Sequence, residues 1–349
     1  DKRFSRDVFR KMGELGFLGA MIPEQYGGVG MSMQNYIVLM ESMARYGGGS
    51  IALTLTAHHS LVVAHIILAG TEEQKTKFLP KLASGETIGA WCLTESDAGS
   101  DAFGEGIRTT ATLTDRGWLI NGSKQFITNS SIADLYVVMA KVVSAGFDQK
   151  TFGAFLVPRN SEGSIRCHSE NKIGMHASDT SAVVFDNVIV DFNLKMEGDG
   201  RISTYPILDN GRVGISALAC GLMRSALAEA VAYAKQRKSF GKPIADYQGV
   251  SFPLADASAK LSASWALVEK AALASDQGTL TPKLAAETKL IATQSAFVCC
   301  LAASDVFGGL SYMQDSRVGQ DFLDARLLQI GEGTDNMQRL VIVKALFSS

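Results

Sequence analysis

Near the end of the chain, IGEGTDNMQR at 330–339 places one carboxylate, Glu332, between Gly331 and Gly333. A free glutamate has a pKa of about 4.3 and is a weak base. Desolvation would raise it and make it a useful proton acceptor. Gly333 permits a turn directly after the acid, and Gly331 removes bulk before it. The alternative is an acid in the N-cap region of the helix DNMQRLVIVKAL. A second stretch, TESDAGSD at 94–101, combines the hydroxyls of Thr94 and Ser100 with Gly99. It can present N–H and O–H donors to a phosphate or a polar ring, or be a plain surface turn. In KQFITN at 124–129, Phe126 and Thr128 should share one face of a strand. That pair suits the edge of a planar ligand; otherwise Phe126 is a core aromatic. RKSFGKP at 237–243 puts Arg237 and Phe240 three residues apart at an expected helix end. The guanidinium can grip a pyrophosphate with Phe240 packed beside it, or the segment is a solvated basic helix end. In LDNGRVG at 208–214, Asp209 and Arg212 serve either a substrate or the cap of the following helix.

These residues sit in a chain of 349 residues, 46% hydrophobic and 19% charged, which permits a large core and more than one domain. Thirty-three basic and 35 acidic residues give a formal charge of −2, with no electrostatic reason to expect nucleic acid. Five cysteines without a CxxC read as buried thiols, not as a disulfide framework. His58, His59 and His65 lack an acid or cysteine at a ligand spacing, so no metal site is expected. No signal peptide is visible, and no clean run of 18 apolar residues marks a membrane span. The start, DKRFSRDVF, looks like mid-helix, as though a first helix were missing.

Three regions must position the candidates. Residues 1–88 carry helical periodicity, as in DVFRKMGELGFLGAM, and TEEQKTKFLPKLASGE offers Thr71 as an N-cap. Within 89–198, IGAWCL, RTTATLTDRGWLING, LYVVMAKV, TFGAFLV and SAVVFDNVIV read as short strands, with VPRNSEGS as a loop. Strand–helix alternation is missing, so an antiparallel barrel or sandwich is expected. Residues 199–349 return to long alanine-rich helices.

WCLTESDAGSDA at 91–102, INGSKQFITN at 120–129, QRKSFGKPIADYQGVSFPLAD at 236–256 and GEGTDNMQRLV at 331–341, in this order, resemble the acyl-CoA dehydrogenase family. The resemblance covers nearly the whole chain. It implies an all-alpha N-terminal domain, a middle antiparallel beta-barrel or sandwich domain and a C-terminal four-helix bundle. It also implies FAD, a homotetramer, and oxidation of an acyl-CoA thioester to the trans-2-enoyl-CoA, with electrons passing to an electron-transferring flavoprotein. By resemblance Glu332 removes the α-proton while a hydride leaves the β-carbon for flavin N5. The Glu332 backbone N–H and a ribityl hydroxyl would hold the thioester carbonyl. Trp91, Leu93 and Thr94 would line the isoalloxazine, with Phe126 and Thr128 beside it. Ser100 would contact both cofactor and the CoA phosphates. Arg237, Phe240, Gln248, Gly308 and Gly309 would reach FAD of a neighbouring subunit, and Thr334 and Asn336 would hydrogen-bond FAD. Asp209, Arg212 and Gly333 would serve the substrate.

The chain departs from the family pattern at several points. Phe126 stands where most relatives have Trp, Asp305 where they have Gln, Leu323 and His176 where they have Arg. Gly331 replaces the tyrosine common in medium-chain relatives, which suggests a branched, aromatic or otherwise non-linear acyl group. Gly211 excludes the base position that branched-chain members use. Related chemistries on the same fold act on a carrier-protein thioester or pass electrons to oxygen, and a non-catalytic scaffold is a further class. The resemblance places a bacterial protein in the cytoplasm and a eukaryotic one in the mitochondrial matrix.

Overall fold

The computed structural model describes residues 5–143 and 151–348. Residues 1–4, part of the stretch DKRFSRDVF, lie outside the described residues. The helices, in chain order, are α1 (Arg6–Glu14), α2 (Met33–Ser42), α3 (Gly49–Thr56), α4 (Ala64–Ala69) and α5 (Glu72–Ser84) before the strands. After the strands come α6 (Gly200–Gln236), α7 (Gln248–Asp276), α8 (Pro282–Phe307), α9 (Arg317–Leu328) and α10 (Asp335–Phe347). The strands between them are β1 (Gly89–Cys92), β2 (Thr110–Thr114), β3 (Gly117–Thr128), β4 (Leu135–Val143), β5 (Phe152–Pro158), β6 (Glu162–Ser169) and β7 (Thr180–Val190). The chain divides into two compact units: residues 1–31, 54–171 and 177–208, and residues 32–53, 172–176 and 209–349.

The first unit is built on one sheet. Its path is β1-β4-β2-β3-β7-β6, with β5 on the other edge of β4. Apolar strands fill the centre: Leu135 to Ala140 of β4 and Phe155 to Val157 of β5 are at most 1% exposed. They join Val62, Val63, Leu79 and Leu82 in one core. The expected all-antiparallel arrangement needs correction, because β1 and β2 both run parallel to β4. Pairing direction depends on long-range connections and leaves no mark on a strand's own pattern. β6 also corrects the reading of VPRNSEGS as pure loop. It is a polar, largely exposed edge strand paired only to β7, so it lacks the apolar alternation that marks a strand.

Local chemistry explains the helix ends. Ser5 is extended and caps α1 by accepting from the Asp7 N–H, so DKRFSRDVF contains a helix start and not mid-helix. Thr71 and Gln74 form a reciprocal capping box on α5, and Gly85 ends it in the left-handed region. The stretch ALTLTAHHSLVV stays helical but widens to a π-helix over Ala57–Val63.

In the second unit α8 is the central helix, packed against α7, α9 and α10. Alanines and threonines at Ala285, Ala292, Thr293 and Ala296 give it a buried face of small side chains. Among the described residues, three helices are by length and mean hydropathy long and apolar enough to cross a membrane: Gly49–Ala69 (1.7), Gly200–Gln236 (1.4) and Pro282–Tyr312 (1.6). A search for uninterrupted apolar runs passes over them, because alanines and single polar residues interrupt each run. In the first two, 72% and 67% of the apolar window is buried within the protein.

Candidate active site

Glu332 lies in the six-residue turn between α9 and α10, in the second unit. Its φ is 52°, and that of Gly333 is 90°, so two successive residues are left-handed. For glutamate this costs about 1–2 kcal/mol, which the surroundings must offset. The Gly333 carbonyl accepts from Lys289 Nζ at 2.8 Å and from Gln338 Nε2 at 2.8 Å. Both donors are fully buried. The Asp335 N–H closes the turn onto the Gln329 carbonyl at 3.1 Å. Thr334, not Glu332, caps α10, accepting from the Met337 N–H at 3.3 Å. The reading of Glu332 as a capping-region acid therefore does not hold, because its side chain is used elsewhere.

That side chain points to Gly211 of α6. A Cβ at 211 would stand 2.3 Å from Glu332 Oε2, so the absence of a side chain there makes room for the carboxylate. Oε2 is buried and has no hydrogen-bond partner among the described residues. Burial pushes the Glu332 pKa up to about 7, while Lys289 and Arg212 pull it back. A carboxyl that exchanges its proton near neutrality is matched to general-base work. The Glu332 backbone N–H donates to no carbonyl among the described residues.

Arg212 is 7% exposed and donates from Nη1 to Asp209 Oδ1 at 2.6 Å. Burial raises the Asp209 pKa against the opposing pull of Arg212. Neither residue is a helix cap: α6 begins at Gly200, and both lie within it, one turn apart. Lys289 is the residue that motif reasoning missed. Burial lowers its pKa to about 8, with Asp335 and Glu332 resisting. Helical spacing held a signal, since Lys289 falls among Ala285, Ala292, Thr293 and Ala296 on the buried face of α8. On the other side of the acid, a Cβ at Gly331 would meet nothing nearer than the Leu327 carbonyl at 3.8 Å. Space for a bulkier group exists there and this chain leaves it open.

A second group of candidates lies in the first unit. The TESDAG turn is bound to β3 by a buried ion pair: Lys124 Nζ reaches Glu95 Oε1 at 2.8 Å and the Leu93 carbonyl at 3.0 Å. Glu95 also accepts from the Arg108 and Thr109 N–H groups. Burial works against the Glu95 carboxylate, but Lys124 and these donors hold its pKa below the usual range. The Gln125 N–H donates to the Thr94 carbonyl at 2.8 Å, bringing Thr94 beside Phe126 in the chain order of β3. The expected simple alternation of Phe126 and Thr128 needs correction. The β3–β7 register shifts between Lys124 and Ile127, and Phe126 has a φ of 58°. The bulge turns Phe126 outward, 64% exposed, while Ile127 is buried. The hydroxyls of Thr94 and Thr128 are half-buried and make no side-chain hydrogen bond among the described residues. Trp91 is oriented by His65, whose Nδ1 accepts from the indole Nε1–H at 2.9 Å. The ring proton is therefore on Nε2, which donates to Ser203 Oγ at 2.9 Å. Burial lowers the His65 pKa to about 4 and keeps it neutral. An outward aromatic, a half-buried indole and two available hydroxyls fit a flat ring with polar edges. Ser100 is exposed at the end of the turn.

The remaining candidates are at the surface of the second unit. Arg237 follows the last residue of α6, and Phe240 is at the turn between the two-residue strands Lys238–Ser239 and Lys242–Pro243. They share a hairpin, not a helical face, so the helical-spacing argument for that pair is replaced. Phe240 is 96% exposed with a φ of 47°. Gln248, Gly308 and Gly309 are also exposed, and no side chain packs near a Cβ at either glycine. Asn336 is exposed and accepts from Arg339.

Family descriptions for the N-terminal, middle and C-terminal domains of acyl-CoA dehydrogenase match residues 1–86, 90–188 and 198–347. An acyl-CoA dehydrogenase of Bacillus subtilis is 41% identical over 98% of this chain and 90% of its own length. The structure of butyryl-CoA dehydrogenase from Megasphaera elsdenii superposes with a TM-score of 0.93 at 37% identity, over 99% of this chain and 91% of that one. A glutaryl-CoA dehydrogenase from Mycobacterium smegmatis, solved in complex with FADH2, gives a TM-score of 0.93 at 28% identity, over 100% and 88%. These matches together span nearly the whole length, and the chain is a member of the acyl-CoA dehydrogenase family of oxidoreductases.

Proposed function

We propose that this chain dehydrogenates an acyl-CoA thioester between Cα and Cβ, with Glu332 as the base. The observation that carries the reading is the buried, unpartnered Glu332 Oε2, held over Gly211 with a pKa of about 7. The carboxylate takes the α-proton, and the β-hydrogen leaves with its electron pair, so the product is the trans-2-enoyl thioester. FAD, when bound, supplies the acceptor for that electron pair. Trp91, Leu93, Thr94, Ser100, Phe126, Thr128, Thr334 and Asn336 are the residues that would hold it. The Glu332 N–H donates to the thioester carbonyl and stabilises the enolate; loss of one such donor typically costs about 3 kcal/mol. Arg212 and Lys289 keep part of the carboxylate population ionised in its dry surroundings.

Arg237, Phe240, Gln248, Gly308 and Gly309 serve the cofactor of a neighbouring subunit in a homotetramer. Their exposure supports this, most of all that of Phe240. Electrons then pass to an electron-transferring flavoprotein. The open space at Gly331 supports a branched, aromatic or otherwise non-linear acyl group.

Anaerobic titration of FAD-loaded protein with straight C4–C8, branched and aromatic acyl-CoAs tests the reading through flavin bleaching. Bleaching that is lost in Glu332→Gln is expected. A clear preference for straight chains would overturn the substrate class. Failure with every CoA thioester would move the assignment to a carrier-protein thioester or to other chemistry.

A further inference from the structure

Gly333 is the pivot of the turn that carries Glu332, and its carbonyl is held from two directions. Gln338 reaches it from within α10, and Lys289 reaches it from the middle of α8, 44 residues earlier in the chain. Lys289 is 0% exposed, makes no ion pair among the described residues, and spends a hydrogen bond on that one carbonyl. A buried ammonium without a carboxylate partner is costly, and the same carbonyl could be satisfied by the neutral Gln338 amide alone. The charge therefore needs another reason. Around the turn the charged groups are Arg212 and Asp209 from α6, Lys289 from α8 and Asp335 from α10. Arg212 is already committed to Asp209 at 2.6 Å. Asp335 accepts from Gln294 and carries charge of the wrong sign to steady a carboxylate. Lys289 is left as the cation whose charge no carboxylate neutralises by direct pairing.

We propose that Lys289 is a positioning residue for the Glu332 base: its ammonium holds the left-handed Glu332–Gly333 backbone through the Gly333 carbonyl, and its charge favours the ionised carboxylate. This rests on Glu332 acting as the base. The hydrogen bond fixes where the carboxylate stands, and the charge sets how readily it gives up its proton before substrate arrives. The two contributions separate by substitution. Lys289→Gln keeps a donor and removes the charge, whereas Lys289→Met removes both.

The test is the pH dependence of single-turnover flavin reduction by a saturating acyl-CoA, in wild type, Lys289→Gln, Lys289→Met and Glu332→Gln, with FAD content and thermal midpoint recorded for each. The acidic limb of the rate profile should move to higher pH by about one unit in both lysine variants, because a cation that favoured the ionised acid is gone. The plateau rate above that limb should fall further in Lys289→Met than in Lys289→Gln. An unshifted limb in a variant that folds and holds FAD would overturn the proposal. So would loss of folding or FAD in both variants, which would make Lys289 a structural residue only. If Glu332→Gln still reduces the flavin, the failure is that of Glu332 as base, and it is read from that variant independently of Lys289.

Discussion

The two units each bury a lysine completely, and the two lysines are used in opposite ways. In the first unit, Lys124 faces the Glu95 carboxylate at 2.8 Å, and Glu95 in turn accepts from two backbone N–H groups. Every charge there has an opposite within reach, and the result is a clamp between the TESDAG turn and β3. In the second unit, among the described residues, Lys289 hydrogen-bonds only a carbonyl, and the nearby Glu332 has an oxygen without a hydrogen-bond partner. A closed pair resists change in protonation, whereas an open set leaves one group free to exchange a proton near neutral pH. On the proposed role of Lys289, the same residue type is structural where its charge is neutralised and chemical where it is not.

The largest test of this contrast is Glu332→Gln. It should lower acyl-CoA-driven flavin reduction by roughly a thousandfold. Thermal stability should hold or rise, because a buried unpaired acid is removed. A drop in melting temperature without loss of rate would erase the distinction between the two sites. Lys124→Met should do the reverse and cost about 3–5 kcal/mol of stability, since Glu95 would stay buried and alone. Denaturant titration measures it, and a cost equal to that of Lys289→Met would break the comparison. The pair also has a pH signature. The Glu95 pKa is lowered in the folded protein, so its contribution is present above about pH 4.3, the unfolded value, and is lost as pH falls through the folded one. Acid unfolding should become shallower in that window in Glu95→Gln. A smaller effect is expected from Gly331→Tyr. With open space around its Cβ the variant should fold normally. Its preference for branched over straight acyl-CoA should fall by about tenfold or more. Competition assays with paired substrates give that ratio. The smallest is His65→Leu, which leaves the Trp91 indole N–H without its acceptor and should cost about 1–2 kcal/mol. Chemical denaturation would place this neutral network below the charged one.

The sequence carried the parts of this arrangement that depend on neighbours along the chain. Thr71 as a cap, Gly333 as a turn residue and the apolar strands β4 and β5 follow from local conformational preference and alternation. It did not carry the parts set by distant partners. The parallel pairing of β1 and β2 with β4 needs the crossover geometry, and β6 is polar because it is an edge. Phe126 escapes simple alternation because a bulge inserts there, and nothing in KQFITN announces it. Asp209 and Arg212 were open to reading as caps because LDNGRVG does not show that its helix has already begun at Gly200, where Asp199 accepts from the Arg201 N–H. Lys289 was partly legible from its small apolar neighbours, but its partner, a carbonyl 44 residues on, was not.

The close fit of Gly211 against the Glu332 carboxylate bears on how such a site can change over generations. The two positions compete for one volume, so a side chain can be gained at 211 only as the carboxylate at 332 withdraws. Moving the acid from the α9–α10 turn to α6 therefore has no path of single active steps. Acquiring an acid at 211 first would crowd out the existing carboxylate, and losing Glu332 first would leave none. A lineage crossing between the two placements must pass through an impaired ancestor or change both codons together, which would keep the alternatives apart as separate branches.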